Sequence, residues 1–209
     1  MKKLLLSIAF VCFCFMQLEA QEKGTFEFGV GGGLNFVSVS DVQSNSTATR
    51  TAFNFGVTGE YYFSDRWGIK SRLIYDSKGW ADGFVDSLDE FGDIQRVITD
   101  FKLNYLTIPV TANWHFGSTR KWYLNFGGYA GFLLNAEVTE TGEDVKEVFK
   151  STDFGLTFGI GYKFEVADNV KLYIEYDAQS GLADIFDNNF GDAVLNGRSS
   201  FNVGALFRL

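Results

Sequence analysis

The sequence predicts an all-β fold: an eight-stranded antiparallel transmembrane up-and-down β-barrel with short periplasmic turns and long extracellular loops. Eight segments alternate between bulky apolar residues and small or polar ones, and a period of two is typical of strands with two different faces. The connections between these segments are alternately long and short. A stretch typical of a secretory signal peptide precedes the first segment.

The N-terminal stretch has two lysines, an apolar run that ends at Met16, and a short polar segment ending in a small residue. This pattern predicts a signal peptide over 1–20, cleaved between Ala20 and Gln21, and a mature barrel over 21–209. A membrane anchor helix is the alternative, but a helix needs roughly 20 apolar residues to span a bilayer. The run is shorter than that.

The alternation is clear in the first segment, where Phe26 and Phe28 share one face and Glu27 and Gly29 share the other. An eight-stranded lumen holds few side chains, so the large apolar residues of all eight segments cannot point inward. They must face lipid, which argues against a soluble, lipocalin-like barrel. The predicted strands cover 25–37, 53–63, 67–78, 106–116, 122–135, 153–164, 170–177 and 200–209.

The connections and the aromatic residues predict the orientation. Outer-membrane barrels have short periplasmic turns and long extracellular loops. Trp67, Trp114 and Trp122 flank short turns and predict a periplasmic aromatic girdle, with Tyr75 and Trp80 at the opposite end. The predicted long loops are 38–51, 80–101, 137–151 and 183–198, and the short turns are 64–66, 117–121 and 165–169.

The charge and the cysteines exclude several classes of protein. Removal of 1–20 takes two lysines and one glutamate, which leaves 16 Lys and Arg against 25 Asp and Glu, a net charge of −9. So acidic a chain is not expected to bind nucleic acid. Cys12 and Cys14 both lie in the segment to be removed, so no disulfide or cysteine metal ligand is expected in the mature chain.

Charged residues on the predicted inward face must be neutralised by partners. By parity and distance from the turns, Glu27 is expected to pair with Arg208 across the closing seam, and Glu60 with Lys70 across a hairpin. Such a plug of ion pairs leaves little room for a proton or solute path. The other inward charged residues are Arg72, Asp76, Lys163, Glu175 and Asp177.

No residue is predicted to be catalytic, to hold a cofactor or to ligate a metal. His115, the only histidine, falls on the inward face near a short turn, where a hydrogen-bonded lumen residue is expected. The glycines of the inward face are expected to make room for tyrosines such as Tyr123, Tyr129 and Tyr173. A lipid-modifying enzyme is the alternative, and it needs a Ser/His/Glu group near the extracellular rim that His115 does not supply.

The predicted loops are rich in acidic residues, which favours a solvated, repulsive cell-surface face. Divalent cations bridging these carboxylates to lipopolysaccharide are the alternative. The acidic residues are Asp82, Asp86, Asp89, Glu90, Asp93 and Asp100 in one loop, and Glu137, Glu140, Glu143, Asp144 and Glu147 in the next.

Three segments resemble the PorT-like outer-membrane β-barrel proteins of Bacteroidota: Tyr105-Leu-Thr-Ile-Pro-Val110, Gly127-Gly-Tyr-Ala-Gly-Phe-Leu-Leu134 and Asp153-Phe-Gly-Leu-Thr-Phe-Gly-Ile-Gly-Tyr162. The resemblance implies a small outer-membrane barrel over the whole mature chain. Most such proteins have no assigned activity, and the namesake is an accessory of a protein secretion system. Such barrels usually end in an aromatic residue, whereas this chain ends in Leu209, which implies a weaker assembly signal.

Together these observations predict a non-enzymatic barrel in the outer membrane of a Gram-negative bacterium, with a structural or interaction role. Its expected partners are outer-membrane lipid, lipopolysaccharide and the barrel assembly machinery; a protein partner at the extracellular loops and an accessory role in secretion are further expectations. A narrow diffusion pore and the lipid-modifying enzyme remain the alternatives.

Overall fold

The computed structural model describes residues 23–40, 48–88 and 93–209, and these form eight antiparallel strands closed into a barrel. The expected cleavage site at Ala20 and Gln21 lies outside the described residues. No helix in the described part of the chain is long and apolar enough to cross a membrane. The strands are β1 (Phe26–Val39), β2 (Arg50–Tyr62), β3 (Trp67–Leu88), β4 (Ile94–Phe116), β5 (Trp122–Val138), β6 (Thr152–Ala167), β7 (Val170–Gly181) and β8 (Asn196–Arg208).

The barrel closes between its first and last strands. β1 pairs antiparallel with β8 over the whole length of both, from Glu27 opposite Arg208 to Val39 opposite Asn196. Closure leaves no strand edge at the level of the membrane, where unpaired N–H and C=O groups would have no water to bind. The predicted fold class and the predicted register at the seam are therefore confirmed.

The two faces of the strands divide as the alternation predicts. Phe28, Phe55 and Phe158 are exposed on the outer surface, while glycines, amides and charged residues fill the inside. Aromatic rings are in contact around the short-turn end, such as Trp67 with Trp114 at 6.3 Å between ring centroids and Trp122 with Tyr162 at 5.0 Å. Amphipathic rings at this level suit the boundary between lipid and water.

The second long connection differs from its prediction. Instead of a loop over 80–101, β3 and β4 continue as a paired ribbon to Leu88 and Ile94. Trp80 shares the parity of the inward residues Asp76 and Lys78, so its ring is buried inside instead of joining an outer aromatic girdle. A bulge between Trp80 and Gly83 interrupts the pairing just beyond it. Gly79 is required next to it, because its φ is +115° and a Cβ there would lie 2.0 Å from the carbonyl oxygen of Phe101.

Candidate functional site

The lumen is filled by three layers of charged residues, named here from the short-turn end upward. In the periplasmic layer, Lys163 of β6 reaches across the barrel to carboxylates on two strands. Its Nζ atom lies 2.8 Å from Glu27 Oε2 and 2.8 Å from Glu60 Oε2. Lys171 binds the other oxygen of Glu27 at 2.7 Å. Two lysines therefore neutralise two carboxylates in this layer.

His115 belongs to the same layer and has no exposed surface. Its Nε2 atom lies 2.7 Å from Glu60 Oε1, and its Nδ1 atom lies 3.2 Å from the carbonyl oxygen of Arg120. The expected lumen histidine with hydrogen-bond partners is therefore confirmed. The Tyr62 hydroxyl donates to Glu27 at 2.8 Å and also contacts Lys163.

The middle layer joins β3 to β7 and β8 through the centre of the barrel. Lys70 binds Glu175, and Arg72 bridges Glu175 and Asp177 at 3.3 and 3.1 Å. Arg198 binds Asp177 and also lies 2.9 Å from Asp76. Three cations thus balance three carboxylates, and amides complete the carboxylate contacts, including Asn35 to Asp76 at 2.8 Å.

The upper layer contains one ion pair among tyrosines. Lys78 Nζ lies 3.1 Å from Asp153 Oδ2 and 4.4 Å from the centre of the Tyr129 ring. Asp153 also accepts hydrogen bonds from the Tyr129 hydroxyl at 3.2 Å and from Asn196 at 3.0 Å. Its charge is balanced by Lys78, so the ion pairs of each layer match cations to carboxylates one to one.

This packing leaves almost no free space between the layers. The cavity in the middle layer, bordered by Arg72, Glu175 and Gln179, has a volume of about 10 Å³. That is about the space for one water molecule. At the level of the middle layer, the ion pairs therefore leave little room for water.

Glycines make room for the lumen tyrosines, as expected. A Cβ at Gly31 would lie 2.1 Å from the Tyr173 hydroxyl, and one at Gly161 would lie 2.3 Å from the Tyr123 ring. Because such distances are far below van der Waals contact, any larger residue would displace the tyrosine. The glycine-rich inward face is thus a packing feature and not a phosphate-binding loop.

Above the upper layer, the extracellular segments pack into an apolar cap. Trp80 stacks on Phe101 at 4.5 Å and meets Phe149 at 6.0 Å, and Phe149 stacks on Phe186 at 5.0 Å. Backbone hydrogen bonds join the β5–β6 loop to the β7–β8 loop, including Lys150 N–H to Ile185 O at 2.8 Å. The buried residues of the cap are Val39, Trp80, Leu103, Tyr105, Leu133, Ala136, Phe149, Ile185 and Val194.

Asp184 organises the β7–β8 loop that crosses the barrel mouth. Its Oδ1 atom accepts N–H groups from Phe186 at 3.1 Å and Val194 at 3.2 Å, and its Oδ2 atom accepts the Asn189 amide at 2.8 Å. Burial raises the pKa of Asp184, but these hydrogen bonds outweigh burial, so its pKa lies below the ordinary value.

Both predicted ion pairs are correct in register, and one of them, Glu60 with Lys70, is wrong in partner. Glu60 does lie opposite Lys70, but Glu60 binds Lys163 and His115 while Lys70 binds Glu175. Glu27 lies opposite Arg208, as predicted, and binds two lysines of other strands, Lys163 and Lys171. Eight strands form so narrow a lumen that long side chains reach past their neighbours to the far wall.

Four further charged residues of the network have no predicted partner. Arg198 lies within the predicted loop 183–198, but β8 begins at Asn196, and the alternation from Ser200 backward through Arg198 places this guanidinium inside. The other three, Lys78, Asp153 and Lys171, lie on predicted inward faces. In the described residues, no group of three or more His, Cys, Asp or Glu side chains is arranged to hold a metal ion.

Comparison with known proteins identifies the family. The sequence model of the outer membrane protein beta-barrel domain matches residues 15–187, well over half of the chain. The chain belongs to this family of outer membrane β-barrels. No curated protein sequence matches it.

Solved structures of outer-membrane barrels share this fold. OprG of Pseudomonas aeruginosa is 13% identical with a TM-score of 0.52, covering 92% of this chain and 99% of its own. The neisserial surface protein NspA is 19% identical with a TM-score of 0.51, covering 87% and 97%. The N-terminal β-barrel domain of OprF, also of P. aeruginosa, is 14% identical with a TM-score of 0.50, covering 90% and 100%. At such identities the likeness shows the fold alone.

Proposed function

We propose that this outer-membrane barrel is a non-enzymatic, closed scaffold that holds a folded interaction surface outside the cell. The observation that carries the proposal is the middle layer of the lumen, where the cavity among the ion pairs has a volume of about 10 Å³. A diffusion pore needs a continuous aqueous channel, which much larger barrels of 16 to 18 strands provide. The apolar cap over the upper layer is a second barrier.

The chemistry of the lumen also argues against a lipid-modifying enzyme. A general base must be within hydrogen-bond reach of its substrate. His115 is fully buried at the short-turn end and is bound by Glu60 and the backbone of Arg120. A lipid in either leaflet has no access to it.

The proposal includes export and assembly. Family membership supports passage to the outer membrane. A signal peptide cleaved after Ala20 and insertion by the barrel assembly machinery are further parts of the proposal, beyond what the family match supports. Contact with lipopolysaccharide is part of the same proposal, because the extracellular half of the barrel lies in that leaflet. An accessory role in secretion rests on the PorT-like resemblance alone and stays a prediction, which the neighbouring genes can test.

The experiment compares cells with and without the gene, by mass spectrometry of their lipids and by solute uptake into liposomes that contain the purified barrel. We expect unchanged lipids and no uptake of small sugars. A modified lipid that disappears in a His115→Ala variant would establish the enzyme instead, and sugar uptake would establish the pore.

A further inference from the structure

The β3–β4 ribbon projects beyond the rest of the barrel. β5 pairs with β4 only up to Phe101 opposite Val138, and one further backbone hydrogen bond joins Thr139 N–H to Asp100 O at 2.9 Å. From Phe101 to Ile94 the strand continues for about 24 Å, at roughly 3.4 Å per residue. Over this length β4 pairs only with β3 among the described strands.

The outer edge of this ribbon offers backbone groups for a further strand. The carbonyl of Asp100 points to the β5 side, because it accepts the Thr139 N–H. Backbone groups of alternate residues in a strand point to the same side, so Ile98, Arg96 and Ile94 also present their N–H and C=O groups there. In the described part of the chain, no strand pairs with this edge beyond Asp100. Such edges can accept a strand from another chain.

One face of the ribbon is apolar and accessible. Ile94 is 75% exposed, Ile98 is 68% exposed and Phe84 is 41% exposed. Arg96 lies over the Phe84 ring at 4.1 Å and binds Asp86 at 3.3 Å. An added strand would therefore find apolar contacts for every second side chain as well as backbone partners.

The charge around the edge selects the kind of strand that fits. Glu140 and Glu143 are exposed on the adjoining turn, and Glu140 N–H binds the hydroxyl of Thr99 at 3.4 Å. Asp100 lies in β4 at the base of this edge, while Arg96, the cation of the stretch from Ile94 to Asp100, is already bound to Asp86. The local excess of carboxylates disfavours an anionic lipid headgroup and a second copy of this acidic chain.

We propose that the Ile94–Ile98 edge of β4 is a docking site for an extended, cationic segment of another protein, which binds by adding a strand to the ribbon. Alternating apolar and basic residues in that segment meet Ile94 and Ile98 on one side and the surrounding carboxylates on the other. This inference rests on the proposed role as an interaction scaffold, and it names the surface and the chemistry of the partner.

Binding is tested by calorimetry on the whole barrel in detergent micelles, with a capped peptide of about seven alternating valine and lysine residues as the probe, a length that spans about 24 Å. A peptide with glutamate in place of lysine is the control for charge. We expect the lysine peptide to bind at least about tenfold more tightly, a difference of about 1.4 kcal/mol. Equal binding of the two peptides, or binding of neither, overturns the proposal.

Two pairs of variants distinguish binding at this edge from nonspecific electrostatic attraction of the peptide to the acidic surface. Arg96→Pro and Arg96→Ala lose the same side-chain contacts, but only proline removes the N–H that points outward, and edge strands tolerate proline. We expect Arg96→Pro to weaken binding about tenfold relative to Arg96→Ala. Equal affinities would show that the peptide does not add to this edge.

The second pair tests charge. Glu140→Gln with Glu143→Gln is expected to weaken binding, while Asp187→Asn with Asp192→Asn makes the same change in net charge on the β7–β8 loop and should leave binding intact. Equal effects would overturn the assignment to this edge. If the barrel dimerises and Arg96→Pro abolishes the dimer, a second copy of the chain is the partner instead. If lipopolysaccharide binds at this edge, the proposed protein partner is likewise wrong. These outcomes are independent of solute uptake, so the docking site can fail while the closed scaffold stands.

Discussion

Lys163 is the residue on which the periplasmic layer depends most. Its ammonium group lies between Glu27 and Glu60, two carboxylates from different strands that are almost fully buried. Burial of such charges is tolerated only when partners neutralise them, because desolvation costs several kcal/mol per ion. Lys171 binds Glu27 and His115 binds Glu60, whereas Lys163 bridges the two carboxylates.

Lys163→Met is therefore expected to destabilise the barrel by about 3–5 kcal/mol, since it leaves buried carboxylates undercompensated. The measurement is urea unfolding in lipid, followed by the heat-modifiable mobility of the folded barrel on a gel. Lys121→Met is the matched control, because Lys121 binds Glu165 at 3.0 Å at the partly exposed short-turn end and surface pairs contribute less than about 1 kcal/mol. Equal losses in the two variants would contradict the network described above.

Asp184 makes the cap sensitive to pH. Its pKa is lower in the folded loop than the ordinary 3.8, so its stabilising contribution is complete above that value. The contribution falls as the pH drops below 3.8 and is lost once the pH passes the depressed native pKa. We expect hydrogen exchange at the Phe186 and Val194 amides to accelerate over this acidic range. Asp184→Asn removes the titration and should flatten the profile; an unchanged profile would contradict the assignment.

Single residues could be assigned to the inside or the outside from the sequence, but their partners could not. Parity placed Lys70, Glu175 and Asp177 on the inner face, where the structure has them. Lys70 and Glu175 are 105 positions apart and lie on strands that are not neighbours. Register arguments address only adjacent strands, while a lumen this narrow lets long side chains cross it. The partners follow only when the barrel is closed in three dimensions.

At the scale of elements, the cap is the part that alternation could not predict. The loop residues that build it are few and separated by charged residues, so 137–151 and 183–198 have the composition of open, solvated loops. Phe149 and Ile185 become buried only because two loops meet over the barrel mouth. The β3–β4 ribbon differs from the predicted loop for a related reason. Its many charged residues are compatible with an exposed strand as well as with a loop, so composition does not distinguish the two.

Ile185→Ala is expected to loosen the cap and leave the barrel intact. Ile185 is 2% exposed, and truncating a buried isoleucine costs about 2–5 kcal/mol. Trypsin added to intact cells should then cut faster at Lys150, whose N–H binds Ile185 O. Leu182→Ala is the control, because Leu182 is 58% exposed and its truncation should leave the cleavage rate unchanged. Equal rates in both variants would mean that the cap does not protect the loops.

For the molecule as a whole, neutrality within each layer explains how a lumen so rich in charge can stay closed. Each cation of the ion pairs described above has a carboxylate at its own level, so these pairs need no ions or bulk water to balance their charge. In the segments outside the barrel, acidic residues outnumber basic ones. The inner surface is thus specialised for packing, while the outer segments form the acidic surroundings of the proposed docking site.

The most direct test of the closed barrel is single-channel recording of the purified protein in planar bilayers. Asp76→Ala combined with Arg198→Ala serves as the comparison, because it removes a bound pair at 2.9 Å without changing the net charge. The wild-type protein is expected to show no stable conductance steps, and the double variant to show steps through the space vacated. Stable steps from the wild-type barrel would contradict the closed lumen.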